Sequence, residues 1–98
     1  MTTELRTSKS FRKDYKKLSD AEIAQTDIII QKLLRDEPLE ARHRDHALRG
    51  NYAGYRECHV RPDLLLVYKK TDDGSIRILH LLRINSHTNI FDAQHTAF

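Results

Sequence analysis

The spacing of apolar residues changes near residue 46, and this change constrains the fold more than any other feature of the sequence. Before it, apolar residues recur every three or four positions, which is the period of a helix with one buried side. After it, apolar and polar residues alternate, which is the period of a strand. Helices followed by strands predict an α+β domain, with two N-terminal helices packed on a mainly antiparallel, twisted sheet.

Short local signals predict where the first elements begin and end. We expect a strand over residues 3–7 and then a helix that Ser8 or Ser10 caps. The run from Ser19 to Glu22 fits a capping box, so a second helix begins there, and the run from Asp36 to Pro38 ends it. The positions expected to face the core are Phe11, Tyr15, Leu18, Ile23, Thr26, Ile28, Ile29, Ile30, Leu33 and Leu34.

The second half of the chain predicts four strands joined by short turns. Their expected ranges are 46–49, 55–61, 64–70 and 75–83. Gly50 and Gly54 bracket the first turn, Pro62 and Asp63 form the second, and residues 72–75 form the third. Links this short make consecutive strands antiparallel.

Length and composition limit the class of protein. With 98 residues, of which 39% are hydrophobic and 32% charged, the chain fits one folded domain over residues 1–98. A single cysteine, Cys58, excludes an intramolecular disulfide and is typical of a reducing compartment. Because no apolar run suits a secretory signal or a membrane span, we expect a cytoplasmic protein that does not bind membranes.

Histidines and arginines gather in two segments, residues 45–63 and 83–91. Cleavage of RNA by side chains needs a base for the 2′-hydroxyl, a cation for the phosphorane and an acid for the leaving oxygen. Histidine can serve as acid or base near neutral pH, and arginine stays charged and can bind two phosphate oxygens. A net charge of +3 and a pI near 9.2 also favour approach to a polyanion. Together these features predict a ribonuclease.

Strand alternation predicts which side chains share a face. It places Tyr55, Glu57, His59 and Arg61 on one face and Arg56, Cys58 and Val60 on the other. Asp63 either orients a histidine, acts as a base or only stabilises its turn. Phe91 either stacks on a nucleobase or fills the core. Tyr55 is either structural or reaches a phosphate with its hydroxyl.

The remaining histidines have simpler interpretations. His80 shares the parity of apolar neighbours and is expected to face the core, whereas His43 and His95 are expected at the surface. The spacing of the histidines matches no familiar zinc pattern, and Cys58 has no second thiolate beside it. We therefore expect neither a metal nor another cofactor.

One long motif carries a resemblance to a known family: Asp45-His46-x-Leu48-x-Gly50-x-Tyr52-x-Gly54-Tyr55-Arg56-x-x-His59-x-x-Pro62-Asp63-x-x-Leu66-x-Tyr68-Lys69. It resembles the YafQ branch of the RelE and ParE toxin superfamily. The closing pattern Arg83-x-x-x-His87-x-x-x-Phe91 and the order of elements extend the likeness over nearly the whole chain. The resemblance implies a bacterial type II toxin that enters the ribosomal A site and cuts mRNA there.

Position by position, the resemblance also implies roles for single residues. The catalytic set that it implies is His46, His59, Asp63, Arg83 and His87. The histidines would share the acid and base work, Arg83 would stabilise the phosphorane, and Phe91 would hold a base. RNA contacts are further expected from Arg56, Arg61 and Tyr55. We expect Arg83→Ala and His87→Ala to leave folding largely intact and to remove most cleavage.

The family further implies partners. These are the 70S ribosome with its mRNA and a cognate antitoxin, whose C-terminal segment wraps the toxin and whose N-terminal domain binds operator DNA. The chain has Leu64 at a position where the best-known member has a tryptophan, and it continues past Phe91. Its codon preference therefore need not be the same. Two alternatives stay open: a ParE-like inhibitor of DNA gyrase with the same fold, and a noncatalytic module that binds RNA or a partner.

Overall fold

The part of the chain that the computed structural model describes is residues 3–92. Its elements in chain order are strand β1 (Thr3–Thr7), helices α1 (Lys9–Tyr15) and α2 (Asp20–Leu34), strands β2 (His46–Ala47), β3 (Arg56–Arg61), β4 (Leu64–Asp72) and β5 (Arg77–Asn85), and a π-helical turn at Thr88–Asp92. Short 3₁₀ turns lie at Ala41–His43 and Gly50–Tyr52. Helices precede most of the strands, as the change of period predicted.

The strands form one sheet in the order β1-β5-β4-β3-β2. β1 runs parallel to β5, and the other neighbouring pairs are antiparallel. The turn between β4 and β5 contains Gly74 at a φ of +91°, a conformation that strains a residue with a Cβ. The prediction of a mainly antiparallel sheet with two N-terminal helices is confirmed.

Both helices begin at the predicted caps. The Ser8 hydroxyl accepts a hydrogen bond from the amide of Phe11 at 2.9 Å. Ser19 and Glu22 form the reciprocal capping box, each side chain accepting from the other residue's backbone amide. Local sequence therefore determines where the helices start. Within residues 3–92, no helix has the length and apolar content that crossing a bilayer would need.

Two details predicted for the helices were wrong. Helix α1 ends before Leu18, because the amide of Leu18 bonds the carbonyl of Tyr15, three residues back, at 3.1 Å. Ile28 is 59% exposed, whereas Ile29 and Ile30 are buried. The apolar stripe of α2 is therefore narrower than the run of isoleucines suggests.

The strands differ from their predicted ranges at their ends. β2 has only two residues, because the turn at Gly50–Tyr52 follows it closely. β5 begins at Arg77 and continues to Asn85. Its start is delayed because the Asp73 carboxylate accepts hydrogen bonds from the amides of Ser75 and Ile76, each at 3.0 Å, and lengthens the turn.

The sheet has an apolar cluster on each face. The larger lies between the sheet and the helices and contains Phe11, Ile29, Ile30, Leu33, Cys58, Val60, Leu64, Leu66, Tyr68, Leu79, Leu81 and Ile84. On the opposite face Leu65, Val67 and Ile90 are buried, and Leu48, Tyr55, Leu82 and Phe91 pack around them. Neither α1 nor α2 contributes to this second cluster. We call the surface around Leu65, Val67 and Ile90 the site face.

Candidate active site

Two rows of residues cross the sheet and bring the two histidine-rich segments together. From β2 to β5, the first row consists of His46, Glu57, Val67 and Arg83. From β3 to β5, the second row consists of His59, Leu65 and Asn85. Because neighbouring strands lie about 4.8 Å apart, the first row spans roughly 14 Å of the sheet and the second roughly 10 Å, and adjacent members of a row lie within reach of one small ligand.

A buried carboxylate links two of the predicted histidines. The side chain of Glu57 is 7% exposed, and its Oε1 lies 3.4 Å from Nε2 of His59. The same oxygen lies 4.0 Å from Nε2 of His46. One carboxylate therefore faces both rings, and it can stabilise a positive charge on either of them.

Backbone carbonyls orient both rings. Nδ1 of His59 lies 3.3 Å from the carbonyl oxygen of Pro62, and Nδ1 of His46 bonds the carbonyl oxygen of Arg44. Because a carbonyl oxygen only accepts, each contact is a hydrogen bond in the tautomer that carries its proton on Nδ1. In each ring the other nitrogen, Nε2, faces Glu57.

The π-helical turn after β5 places His87 and Phe91 together. Their ring centroids are 5.0 Å apart, and Tyr52 packs edge-on against Phe91 with the centroids 5.2 Å apart. His87 is exposed, whereas Phe91 is half-buried against the second cluster. Phe91 therefore anchors the turn and still presents part of its ring to solvent. Turns of this kind are frequent at functional sites.

Arg83 is held by a carboxylate on helix α1. Its Nε donates to Oδ2 of Asp14 at 2.6 Å and its Nη2 to Oδ1 at 3.2 Å. The two side chains are only 14% and 9% exposed. The prediction that Arg83→Ala leaves folding largely intact supposed that this side chain need not be buried, and the observed burial argues against that premise. Within residues 3–92, Nη1 of Arg83 has no hydrogen-bond partner, which leaves this donor for an anion.

A β-bulge separates Arg61 from His59. Alternation predicted a shared face, but the register shifts between these two residues, and Nε of Arg61 donates to Gln25 of α2. Arg56 lies on the opposite face, as predicted. There its Nε donates to the Tyr68 hydroxyl, and its Nη2 lies 3.3 Å from Oδ2 of Asp45.

The remaining predicted residues are Tyr55 and Asp63, which lie in different parts of the structure. Tyr55 packs against the second cluster, and Nζ of Lys69 lies 5.6 Å from the centroid of its ring. Asp63 is exposed in the turn after β3. Within the described ranges no hydrogen bond or ion pair joins the Asp63 side chain to His59 or to any other residue.

His43 was expected at the surface, and this expectation was wrong. The residue is 7% exposed, and its Nδ1 bonds the carbonyl oxygen of His59 at 2.7 Å. The contact ties the 3₁₀ turn at Ala41–His43 to the end of β3. His43 therefore supports the strand that carries His59.

His80 only partly fits its predicted place in the core. The larger core takes Leu79 and Leu81, which alternate with it, so His80 lies half-buried on the other face. Its Nε2 lies 3.1 Å from Oγ1 of Thr71. His95 lies outside the described residues. Among residues 3–92, no group of three or more His, Cys, Asp or Glu side chains is placed to hold a metal ion.

Two residues of the site had no predicted role. The alternation of β3 placed Glu57 on the face of His59, and the β2–β3 pairing places it opposite His46 as well, so that its carboxylate faces both rings. Asp14 carries no local signal, because its partner Arg83 lies 69 positions away in the sequence. Such a contact becomes visible only in the folded chain.

The sequence matches a family model over residues 3–92, described as the bacterial toxin of type II toxin-antitoxin system, YafQ. It is 43% identical over 54 residues to the mRNA interferase toxin YafQ of Escherichia coli strain K12. That alignment covers 55% of this chain and 54% of the E. coli protein. The chain thus spans about half the length of the curated relatives it matches.

Solved structures with the same fold cover more of the chain. YafQ in a crystal structure of the E. coli DinJ-YafQ toxin-antitoxin complex has a TM-score of 0.79 at 30% identity, covering 93% of this chain and 99% of that one. A copper-bound mutant toxin from Helicobacter pylori has a TM-score of 0.78 at 38% identity, covering 93% and 100%. A YoeB/ParE toxin from Agrobacterium tumefaciens shares the fold, with a TM-score of 0.74 at 20% identity over 86% of this chain and 98% of that one.

Proposed function

The chain belongs to the YafQ family of bacterial type II toxin-antitoxin toxins, and from this membership we propose that it is an endoribonuclease that cuts mRNA in the ribosomal A site and so stops translation. One observation carries the proposal. His46 and His59 converge on the buried carboxylate of Glu57. They lie on the site face, to which the π-helical turn after β5 adds His87 and Phe91. This arrangement supplies the acid and the base that cleavage through the 2′-hydroxyl requires.

The proposed reaction uses side chains alone. A histidine removes the proton of the 2′-hydroxyl, the oxygen attacks the phosphorus, and an acid protonates the leaving 5′ oxygen. The products are a 2′,3′-cyclic phosphate and a 5′-hydroxyl. Glu57 stabilises the positive charge on whichever of His46 and His59 takes the proton. His87, exposed on the last turn, fits the proton donor.

Other side chains of the site would bind the RNA. Nη1 of Arg83 is the donor left to hold the phosphorane, and the exposed part of the Phe91 ring suits stacking on a base. Asp63 remains a proposed member of the catalytic set. The further RNA contacts that we propose are those of Arg56, Arg61 and Tyr55. Arg56 and Arg61 contact Asp45 and Gln25, so they would reach RNA at the margin of the site.

The proposed partners follow from the family. E. coli YafQ is found in a complex with the DinJ antitoxin. By analogy, a cognate antitoxin would bind this chain and connect it to operator DNA. The ribosome would present the mRNA. No cofactor enters the proposed reaction, and the proposed place of action is the cytoplasm.

The proposal is tested by mapping mRNA 5′ ends in a reconstituted translation reaction, with and without ribosomes. Three purified proteins are compared: wild type, His87→Ala and His80→Gln. His80 is the matched control, because it contacts Thr71 and has no proposed part in cleavage. Wild type and His80→Gln should give ribosome-dependent ends at fixed codon positions, and His87→Ala should give few. Intact mRNA with folded, antitoxin-free wild type would contradict the proposal and favour gyrase inhibition or simple binding.

A further inference from the structure

The carboxylate of Asp14 joins helix α1 to the end of β5. Asp14 is 8% exposed and accepts four hydrogen bonds. The donors are Nε and Nη2 of Arg83 at 2.6 and 3.2 Å, the amide of Ile84 at 3.2 Å and Nδ2 of Asn85 at 3.1 Å. The pairing of β1 with β5 ends at Leu81. Beyond that point the Asp14 carboxylate, and not a strand, accepts the hydrogen bond of the Ile84 amide.

A second set of hydrogen bonds leads from Asn85 into the π-helical turn. Oδ1 of Asn85 accepts from the amide of Ser86 at 2.8 Å and from Nδ2 of Asn89 at 2.9 Å. Asn89 lies between His87 and Phe91 in the sequence, and its amide bonds the Ser86 hydroxyl at 3.2 Å. A continuous chain of hydrogen bonds therefore joins Asp14 to the turn that carries His87 and Phe91.

We propose that Asp14 is a positioning residue, whose charge holds the Arg83 guanidinium and, through Asn85, the turn with His87 and Phe91 in one arrangement. The inference rests on the proposed function, because it concerns the same site. Asp14 acts through Arg83 and Asn85 and touches no reacting atom.

A carboxylate suits this place better than any neutral side chain. Its two oxygens provide about four acceptor positions, and all four are used. An asparagine would offer only one oxygen, and its NH2 group would face one donor of Arg83 together with the donor of either Ile84 or Asn85. It would also leave the buried guanidinium without a countercharge.

Three variants separate positioning from simple support of the fold. Asp14→Asn keeps the size of the side chain and removes the charge. Asp14→Glu keeps the charge and is the conservative rescue. Asn85→Ala leaves the ion pair of Asp14 with Arg83 in place and cuts the link to the turn. All variants are assayed well below the lowest melting temperature, on ribosomes programmed with the mRNA.

Positioning predicts a specific change in kinetics. Asp14→Asn should lower kcat by about tenfold to a hundredfold with little change in KM, because a misplaced reacting group slows the chemical step. Asn85→Ala should also lower kcat, and Asp14→Glu should recover most of the activity. Folded Asp14→Asn with the kcat of wild type would overturn the proposal.

A nuclear magnetic resonance measurement tests the same inference without RNA. In wild type the Nε–H signal of Arg83 should exchange slowly with solvent, and the His87 ring signals should carry the ring-current shift of Phe91. Asp14→Asn should alter both signals, whereas Asn85→Ala should alter only those of His87. If wild type cuts no RNA, the proposed function fails, and these signals still decide the structural role. Unchanged signals in folded Asp14→Asn would overturn the positioning role itself.

Discussion

Replacing Arg83 with alanine should destabilise the fold as well as impair cleavage. The guanidinium is 14% exposed and shares its ion pair with an Asp14 carboxylate that is 9% exposed. After the substitution the carboxylate stays buried and has lost two of its four hydrogen-bond donors. An uncompensated buried charge is among the most destabilising changes that one substitution can make.

The size of the loss in unfolding free energy depends on the hydrogen bonds that Asp14 retains after the substitution. Removing one partner of a buried ion pair costs about 3–5 kcal/mol. Here the Ile84 amide and Asn85 still donate to Asp14, so we expect about 2–3 kcal/mol, at or just below the lower limit of that range. In a domain of this size, that loss lowers the melting temperature by roughly 10–20 °C.

Urea unfolding followed by circular dichroism measures the difference, with Arg77→Ala as the matched control. Arg77 lies on the same strand and pairs with Asp36 and Asp72, but it is 42% exposed. Its loss should cost less than about 1 kcal/mol. Equal unfolding midpoints for the two alanine variants would refute the assignment of a buried, stabilising ion pair at Arg83.

Three further predictions concern the core and its margin. Burial raises the pKa of the Cys58 thiol, so a thiol reagent should modify it only as the chain unfolds; rapid labelling of native protein would contradict this. Burial lowers the pKa of the His80 imidazole, and the nearby positive charges of Lys69 and Arg6 lower it further. Protonation therefore favours the unfolded chain, and stability should decline as pH falls below about 6.5. In His80→Gln, urea midpoints at pH 7.5 and 5.5 should differ less than in wild type, and an equal difference would exclude His80 as the cause. The Thr26 hydroxyl is buried without a hydrogen-bond partner within residues 3–92, so Thr26→Val should raise the unfolding free energy by about 1 kcal/mol, and a loss of stability would show that the hydroxyl is satisfied.

Much of the fold was predictable because its signals are local. Capping residues specify the start of each helix, and the alternation after residue 46 identifies the strands. Short links then determine which strands are neighbours. The exposure of Ile28 was harder to predict. In a run of three isoleucines, the boundary between the buried and the exposed side of the helix falls between adjacent residues.

The site was less predictable because its contacts are tertiary. The motifs pointed to His46, His59 and His87, and the sheet brings His46 and His59 to one carboxylate. The bulge that turns Arg61 toward α2 follows from no simple alternation. The burial of His43 depends on a bond to a carbonyl group that the fold brings near.

The central claim is that side chains of the site face cleave mRNA through its 2′-hydroxyl. It is tested most directly with an mRNA that carries one 2′-deoxynucleotide at the mapped cut position. A second mRNA, with the substitution three nucleotides upstream, is the control. On programmed ribosomes the wild-type protein should cut the control at the normal rate, leave a 2′,3′-cyclic phosphate and fail to cut the first mRNA. Cleavage of the first mRNA at its deoxy position, with 3′-hydroxyl ends, would contradict the proposed chemistry.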